Sequence, residues 1–425
     1  MRELRFVIIG SIVFAVAFGQ QPLPGQLSLQ YAEKILLERN LNIAVSRRMV
    51  EAAEAQRMIA GYRPNPQVQL GAEQWVMYSP VPNSAPRFFE TNPNAGANPV
   101  YTFQVLQTLE RGGKRQLRTR QATSQVEAAR AQVLDTFRMQ LFQLRQAFAA
   151  AILARENLQL AQLTNQQYEQ TERLTQTRVD NGDAAPVELY RVRSGRLQYR
   201  QAMLQARTAY QQALRDVRNL FGADTSEAPF EVVGDFAEKP VSLNLEELRA
   251  MALANRPDLK VARSTLAAAE RGTQLAEALR HRDINVGVEY QRVGDDSSVG
   301  VIAQFPLFVF NDQRAAAAQA SALERAAQAQ FRQAQIQALT DVEKAYQAYL
   351  AAREALELYS QDNLIQVDKL RDVAAFSFKE GAASLLEALD AQRTANLTRA
   401  AYNQARSDYQ VSLWQLEQAT GNELP

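Results

Sequence analysis

The chain has 425 residues, 47 basic against 46 acidic side chains, a net charge of +1 and no cysteine. That balance leaves no electrostatic footprint for nucleic acid, and the missing thiols exclude disulfides, thiolate metal sites and a cysteine nucleophile. His281 is the only histidine, so zinc-type histidine clusters are absent and a Ser-His-Asp triad would have to use this one residue, which sits in the charged run Arg280-His281-Arg282-Asp283 expected to be solvated; no enzyme, cofactor site or metal site is expected.

Arg2 and Arg5 precede an apolar run from Phe6 to Phe18, with small residues at Ala17 and Gly19. This pattern predicts a signal peptide over residues 1–19; a helix of that run rises about 20 Å, short of the roughly 30 Å hydrocarbon core. With no cysteine after the run, the lipoprotein route is closed. No later stretch is apolar enough for a membrane helix, so any spanning part has to be a β-barrel.

Seven of the 15 prolines fall between Pro64 and Pro99. Period-two segments around Gln67–Tyr78 and Val100–Leu109 predict a β-hairpin over about 67–109, and the Pro- and Asn-rich Ser79–Asn98 predicts an exposed loop. Trp75, Tyr78, Tyr101 and Tyr290 supply either an interfacial aromatic belt or ordinary strand packing. From Val100 to Ala185 no proline occurs, and Ala, Gln, Arg, Leu and Glu dominate. Proline costs about 3 kcal/mol inside a helix, so this gap predicts long helix. Leu134, Phe137, Leu141, Leu144 and Phe148 step in the heptad manner of a coiled-coil seam. A helix from Gly113 to Val179 spans roughly 100 Å. Gly182 breaks it, helix resumes from Glu188 to Leu220, and Gly222 sits where a cap is expected, which makes a helical hairpin over about 113–221.

The pattern then repeats. Leu27–Ile43 reappears as Leu243–Leu259 at an offset of 216, after a linker over 223–242. Ile284, Val286, Val288 and Tyr290 alternate with polar residues, as do Val299, Val301, Ala303 and Phe305, giving a second β-hairpin over about 284–308. Its two faces suit a barrel strand with lipid outside and water inside, or a soluble hairpin with one face on a core. A second helical hairpin covers about 312–420, with Leu339, Val342, Tyr346 and Tyr349 at heptad steps and Gly381 at its tip. The hairpins correspond at an offset of 199: Gln205-Ala206-Arg207 matches Gln404-Ala405-Arg406, and Gly182 matches Gly381. The first copy (20–222) is therefore 17 residues longer between equivalent points than the second (243–425), and the surplus falls in Ser79–Asn98. The fold class is mainly α with a small β part: duplicated long α-helical hairpins plus four strands. Because membrane barrels need about eight strands or more, four per chain imply oligomerisation. Three chains give a twelve-stranded barrel and a twelve-helix cylinder, and two or four are also compatible.

In this order the residues resemble the TolC family of outer-membrane efflux channels. The resemblance is carried by Arg63-Pro64-Asn65-Pro66, Pro306-Leu307-Phe308 and the glycine tips, each followed by an acidic helix start. Gly112-Gly113-Lys114-Arg115 and Asn311-Asp312-Gln313 are similar to the heavy-metal (CzcC-like) branch. The resemblance implies a homotrimer in the outer membrane with a long periplasmic tunnel and an equatorial belt from roughly 20–62, 223–279 and the C-terminus. It further implies contact with outer-membrane lipid, a periplasmic adaptor (membrane fusion) protein and an inner-membrane transporter of the RND type. The cargo it implies is heavy-metal cations, with multidrug efflux or type I protein secretion as alternatives; a soluble periplasmic scaffold is the reading from another class.

The family's tunnel narrows near the hairpin tips, and by position after the tip glycine the matching acids are Glu387 and Asp390. Glu188 is the first-copy equivalent of Glu387, while Arg191 stands opposite Asp390. In a threefold assembly each acid becomes a ring whose repulsion raises carboxylate pKa values and favours cations, and Arg191 can tie the ring shut. Simple helix N-terminal acids are the plainer reading. The tips Asn181-Gly182-Asp183 and Glu380-Gly381-Ala382 match the family's adaptor-docking point; a required turn geometry also accounts for the two glycines.

Overall fold

The computed structural model describes residues 24–73, 100–222, 229–236, 242–359 and 361–424. Residues 1–19, expected to be a signal peptide, Trp75, Tyr78 and the expected loop Ser79–Asn98 lie outside the described residues.

Short β1 (Gln26–Ser28) leads into α1 (Leu29–Arg39) and α2 (Leu41–Gly61). Strands β2 (Gln67–Glu73) and β3 (Val100–Leu109) precede α3 (Lys114–Asp180) and α4 (Pro186–Leu220). After β4 (Glu231–Val233) the order repeats with α5 (Leu245–Asn255), α6 (Pro257–Ala278), β5 (Ile284–Val293) and β6 (Asp296–Gln304). The chain ends in α7 (Arg314–Leu358), α8 (Gln361–Lys379) and α9 (Leu385–Thr420). The protein is thus mainly α with a small sheet, and α1–α2 recur as α5–α6 at the offset of 216 read from the sequence. With neither Gly nor Pro in it, α3 runs unbroken for 67 residues. Its second-copy counterpart is divided into α7 and α8 at Tyr359, where the Asn363 amide donates to Leu358 O at 3.0 Å and caps the end of α7. The expected single helix is broken there without glycine or proline; the polar run Ser360-Gln361-Asp362-Asn363 is the local signal for a new helix start.

Four strands form one antiparallel sheet in the order β2-β3-β5-β6. Cross-strand register puts Leu70, Phe103, Tyr290 and Val299 in one row and Val68, Val105, Val288 and Val301 in the next on the same face. The opposite face carries Gln69, Gln104, Glu289 and Gly300 in one row and Gly71, Thr102, Gln291 and Ser298 in another. The Gln104 amide donates to Glu289 there, and Thr108 Oγ1 to Asn285 Oδ1 at 2.8 Å. One face is therefore apolar and the other polar. Nothing among the described residues covers the apolar face: Leu70 is 76%, Val299 78% and Val301 85% exposed. Among the described residues, β2 and β6 each present an unpaired edge. The β5–β6 connection is the two-residue turn Gly294-Asp295 with Gly294 at φ +60°, the chirality that matches strand twist.

The chain divides into two compact units: residues up to Arg39 with Leu144–Phe236 and Gln366–Gln404, and Asn40–Gln143 with Ala237–Ile365 and Ala405 onward. In the first, β1 pairs in parallel with β4, and Arg155 donates to Val232 O at 2.7 Å and Gly234 O at 2.9 Å. In the second, the buried seam of α7 is Ala338, Val342, Ala345, Tyr349, Ala352 and Leu356, in alternating steps of four and three. Half the seam is alanine, one register away from Leu339 and Tyr346, which are half-buried. Tyr349 packs on Tyr409 of α9, ring centroids 6.1 Å apart. Among the described residues no helix is long and apolar enough to cross a membrane.

Candidate functional site

The two tips are built alike. After α3, Asp183 N donates to Arg178 O at 2.8 Å and Gly182 N to Val179 O at 3.1 Å. After α8, Ala382 N donates to Ser377 O at 2.8 Å and Gly381 N to Phe378 O at 3.1 Å. Both are Schellman closures, which need a left-handed residue at the position the glycine fills; Gly182 has φ +84° and Gly381 φ +77°. A Cβ at either would meet nothing within 4 Å. Backbone conformation alone therefore accounts for these glycines within the chain, and Asn181, Asp183, Glu380 and Ala382 present open, exposed faces around them.

Helix starts follow each tip. Ser384 caps α9: Glu387 N donates to its hydroxyl at 3.2 Å, while the Glu387 carboxylate accepts from Ser384 N at 2.8 Å and Ser384 Oγ at 3.1 Å. This is a capping box, and the Ser384 backbone and hydroxyl bonds hold the Glu387 carboxyl below the usual range. Within one chain the shift is thus opposite to that expected of a repelling ring. Glu188 occupies the same position on α4, but Ala185 replaces the serine and makes no side-chain cap; Pro186 sets the first turn instead. Asp390 and Arg191 stand one turn further on, both exposed. Within the chain no ion pair joins Arg191 to Asp390 or Glu188.

Residues unremarked in the sequence hold the tips together. Val192, Phe378, Leu385 and Ala388 form a buried cluster with Leu174 and Leu389, so α3, α4, α8 and α9 all contribute. Arg178 Nη1 donates to Phe378 O at 3.1 Å, and its guanidinium lies 5.1 Å from the Phe378 ring centroid. Between α3 and α4, Glu172 accepts from Arg196 at 2.6 Å and Arg193 at 3.1 Å; the Arg196 bond is the main cause holding the Glu172 carboxyl low. Between α8 and α9, Arg399 grips Asp368 in two contacts and lowers its pKa. Charge alternation on helix faces was the available signal, but it does not say which arginine finds which acid.

The motif Glu110-Arg111-Gly112-Gly113-Lys114-Arg115 lies between β3 and α3. Lys114, 4% exposed, donates to His281 O at 2.7 Å and to Asp283 Oδ1 at 2.8 Å, and Arg111 N donates to the same Oδ1 at 2.9 Å. Glu110 pairs with Arg118. At Gly112, φ +71°, a Cβ would lie 2.9 Å from the His281 ring. The motif is a clasp between the two copies, and no group of His, Asp and Glu suited to a metal occurs among the described residues.

A family model described as outer membrane efflux protein matches residues 34–223 and 248–422. The chain is 25% identical over 387 residues to the pyoverdine export outer membrane protein OpmQ of Pseudomonas putida, covering 86% of this chain and 79% of that protein. Its fold superposes on the CmeC outer membrane channel of Campylobacter jejuni with a TM-score of 0.78, at 15% identity over 92% of this chain and 85% of that one. On the outer membrane protein VceC of Vibrio cholerae the TM-score is 0.73, at 18% identity over 93% and 97%.

Proposed function

The chain belongs to the outer membrane efflux protein family, and from that premise we propose that three copies form one passive conduit of a tripartite efflux pump. The observation that carries this reading is the sheet: one face apolar and exposed, one polar, both edges unpaired. A membrane barrel removes all three liabilities together, since lipid covers the apolar face, water fills the other and neighbouring chains pair the edges. The helical hairpins then extend into the periplasm, and their tips meet an adaptor that links the conduit to an inner-membrane transporter. Energy comes from that transporter; the chain belongs to a family of channels rather than enzymes.

Cargo is set by the transporter. A heavy-metal cargo is supported by the resemblance of Gly112-Gly113-Lys114-Arg115 to one branch, but those residues have a structural task, so they support it weakly. An organic cargo is favoured by the relative named for pyoverdine export. The test of the conduit is purification from outer membranes, followed by planar-bilayer recording. Detergent-requiring trimers that dissociate on heating and conduct are expected; a monomer soluble without detergent overturns the reading. Deletion strains challenged with metal salts and with siderophore or drug load distinguish the cargoes.

A further inference from the structure

We infer that the helix-side rim of the sheet is a docking surface for anionic phospholipid, with the loop after β6 inserted in the leaflet and a set of arginines on its headgroups. The inference rests on the barrel reading above. Register brings the ends of four strands, Gln67, Leu109, Ile284 and Gln304, to one end of the sheet, the end from which the helices leave. There the chain turns into Phe305-Pro306-Leu307-Phe308-Val309-Phe310, which is neither helix nor strand. Apart from half-buried Phe308, its large side chains are bare: Leu307 is 67%, Val309 71% and Phe310 102% exposed. The segment continues the apolar face of β6, where Val299 and Val301 are equally bare.

Charge tells what covers it. Three of the acids at this end are already paired, Asp283 with Lys114, Glu110 with Arg118 and Asp312 with Arg314, which leaves exposed Glu277 against a larger set of exposed arginines. Among the described residues, exposed Arg63, Arg111, Arg280 and Arg282 have no ion pair, and the Arg282 guanidinium sits 5.4 Å from the Phe308 ring centroid. Apolar and aromatic anchors beside unpaired arginines, at the edge of a lipid-facing sheet, match the apolar–phosphate boundary of a bilayer. A second protein chain would have to bring its own acids to this rim, whereas anionic headgroups supply them in the plane where the apolar face ends.

The absence of cysteine makes the test direct. Full-length protein bearing Phe310→Cys, Val301→Cys or Gln328→Cys is labelled with a fluorophore and reconstituted into vesicles containing brominated lipid. Gln328, about four turns into α7, is the aqueous reference. Quenching at positions 301 and 310 but not 328 is expected. Quenching at 301 without 310 overturns this inference and leaves the barrel standing; quenching at neither overturns the barrel. For the headgroups, the native trimer is purified from mixed phosphatidylglycerol–phosphatidylcholine vesicles and the retained lipid is measured by mass spectrometry. R280Q/R282Q should lower the phosphatidylglycerol preference by up to about fivefold per arginine, and R280K/R282K should retain it. No preference in the wild type, or an unchanged one in R280Q/R282Q, overturns the anionic assignment.

Discussion

Arg256 offers a sharp test of how the second unit is held together. Its side chain is 4% exposed and makes five hydrogen bonds: Nε and Nη2 to the two carboxylate oxygens of Asp258 at 3.0 and 2.6 Å, both Nη atoms to Asp341 Oδ2 at 3.0 and 3.1 Å, and Nη1 to Ala419 O at 3.2 Å. One buried cation thereby joins α6, α7 and α9. Removing one partner of a fully buried pair costs about 3–5 kcal/mol because the other charge is left uncompensated; here the acids left behind are 27% and 35% exposed and Asp258 keeps Arg138 at 3.9 Å, so Arg256→Met is expected to lose about 2–3 kcal/mol. At about 2 °C per kcal/mol for a large domain, the midpoint should fall by about 4–6 °C. The assay is thermal unfolding of the detergent-solubilised protein followed by circular dichroism. Adding Asp258→Asn and Asp341→Asn to Arg256→Met should recover part of the loss, since no unpaired charge remains. Burial pushes the Asp258 carboxyl up, but Arg256 outweighs it and the net pKa is depressed. Its contribution is therefore fully present above the ordinary carboxylate range and is lost as pH falls through the depressed value; Arg256→Met should flatten that acid limb. A midpoint within about 1 °C of wild type, or no recovery in the triple variant, refutes the argument.

Three further outcomes are expected. Val301→Arg on the apolar face should cost about 2–4 kcal/mol at a mid-membrane position, while Ser298→Arg on the polar face should fold normally, both read from the yield of heat-dissociable oligomer; equal yields would contradict the two-faced sheet. Gly381→Ala should destabilise by about 1–2 kcal/mol through its left-handed φ, and Gly381→Asn by less, as seen in thermal melts; a larger loss of adaptor cross-linking in both variants than in melting would reveal a docking role beyond the turn. If Arg191 closes the conduit in the trimer by pairing with Asp390 or Glu188, Arg191→Ala and Asp390→Ala should each raise single-channel conductance, and unchanged conductance in both removes that role.

Much of the fold was legible because its signals are periodic. Alternation marks β5 and β6, proline-free runs mark the hairpins, and the offset of 216 that sets Leu27–Ile43 against Leu243–Leu259 places Asn40 opposite Arg256. Structure then separates these equivalents: Asn40 caps α2 through its side chain, accepting from Ile43 N at 3.0 Å, whereas Arg256 gives up capping for the buried network. Tertiary partners decide such choices, and they are not adjacent in the chain. Heptad stepping by size marks Val342 and Tyr349, which are buried, together with Leu339 and Tyr346, which are only half-buried, because the alanines that fill the seam carry no size signal. At the tips, a glycine is a sufficient local signal for the turn, and an acid three residues after Ser384 is one for the helix start. Arg178, Arg193, Arg196 and Arg399 were invisible as individuals among 47 basic residues.

The alanine seam of α7 has an evolutionary side. A buried leucine can mutate to something smaller or to something of similar shape, so its position can drift in more than one direction. At Ala338, fully buried, and Ala345, also fully buried, nearly every available change adds atoms, and overpacking costs about 1–3 kcal/mol. Drift there runs into a wall on one side and finds only glycine on the other. The equivalent line of the first copy, at an offset of 198, carries Ala147 and Ala154 opposite Ala345 and Ala352, so the same one-sided constraint acts on both repeats and divergence between them should have accumulated mainly outside this face.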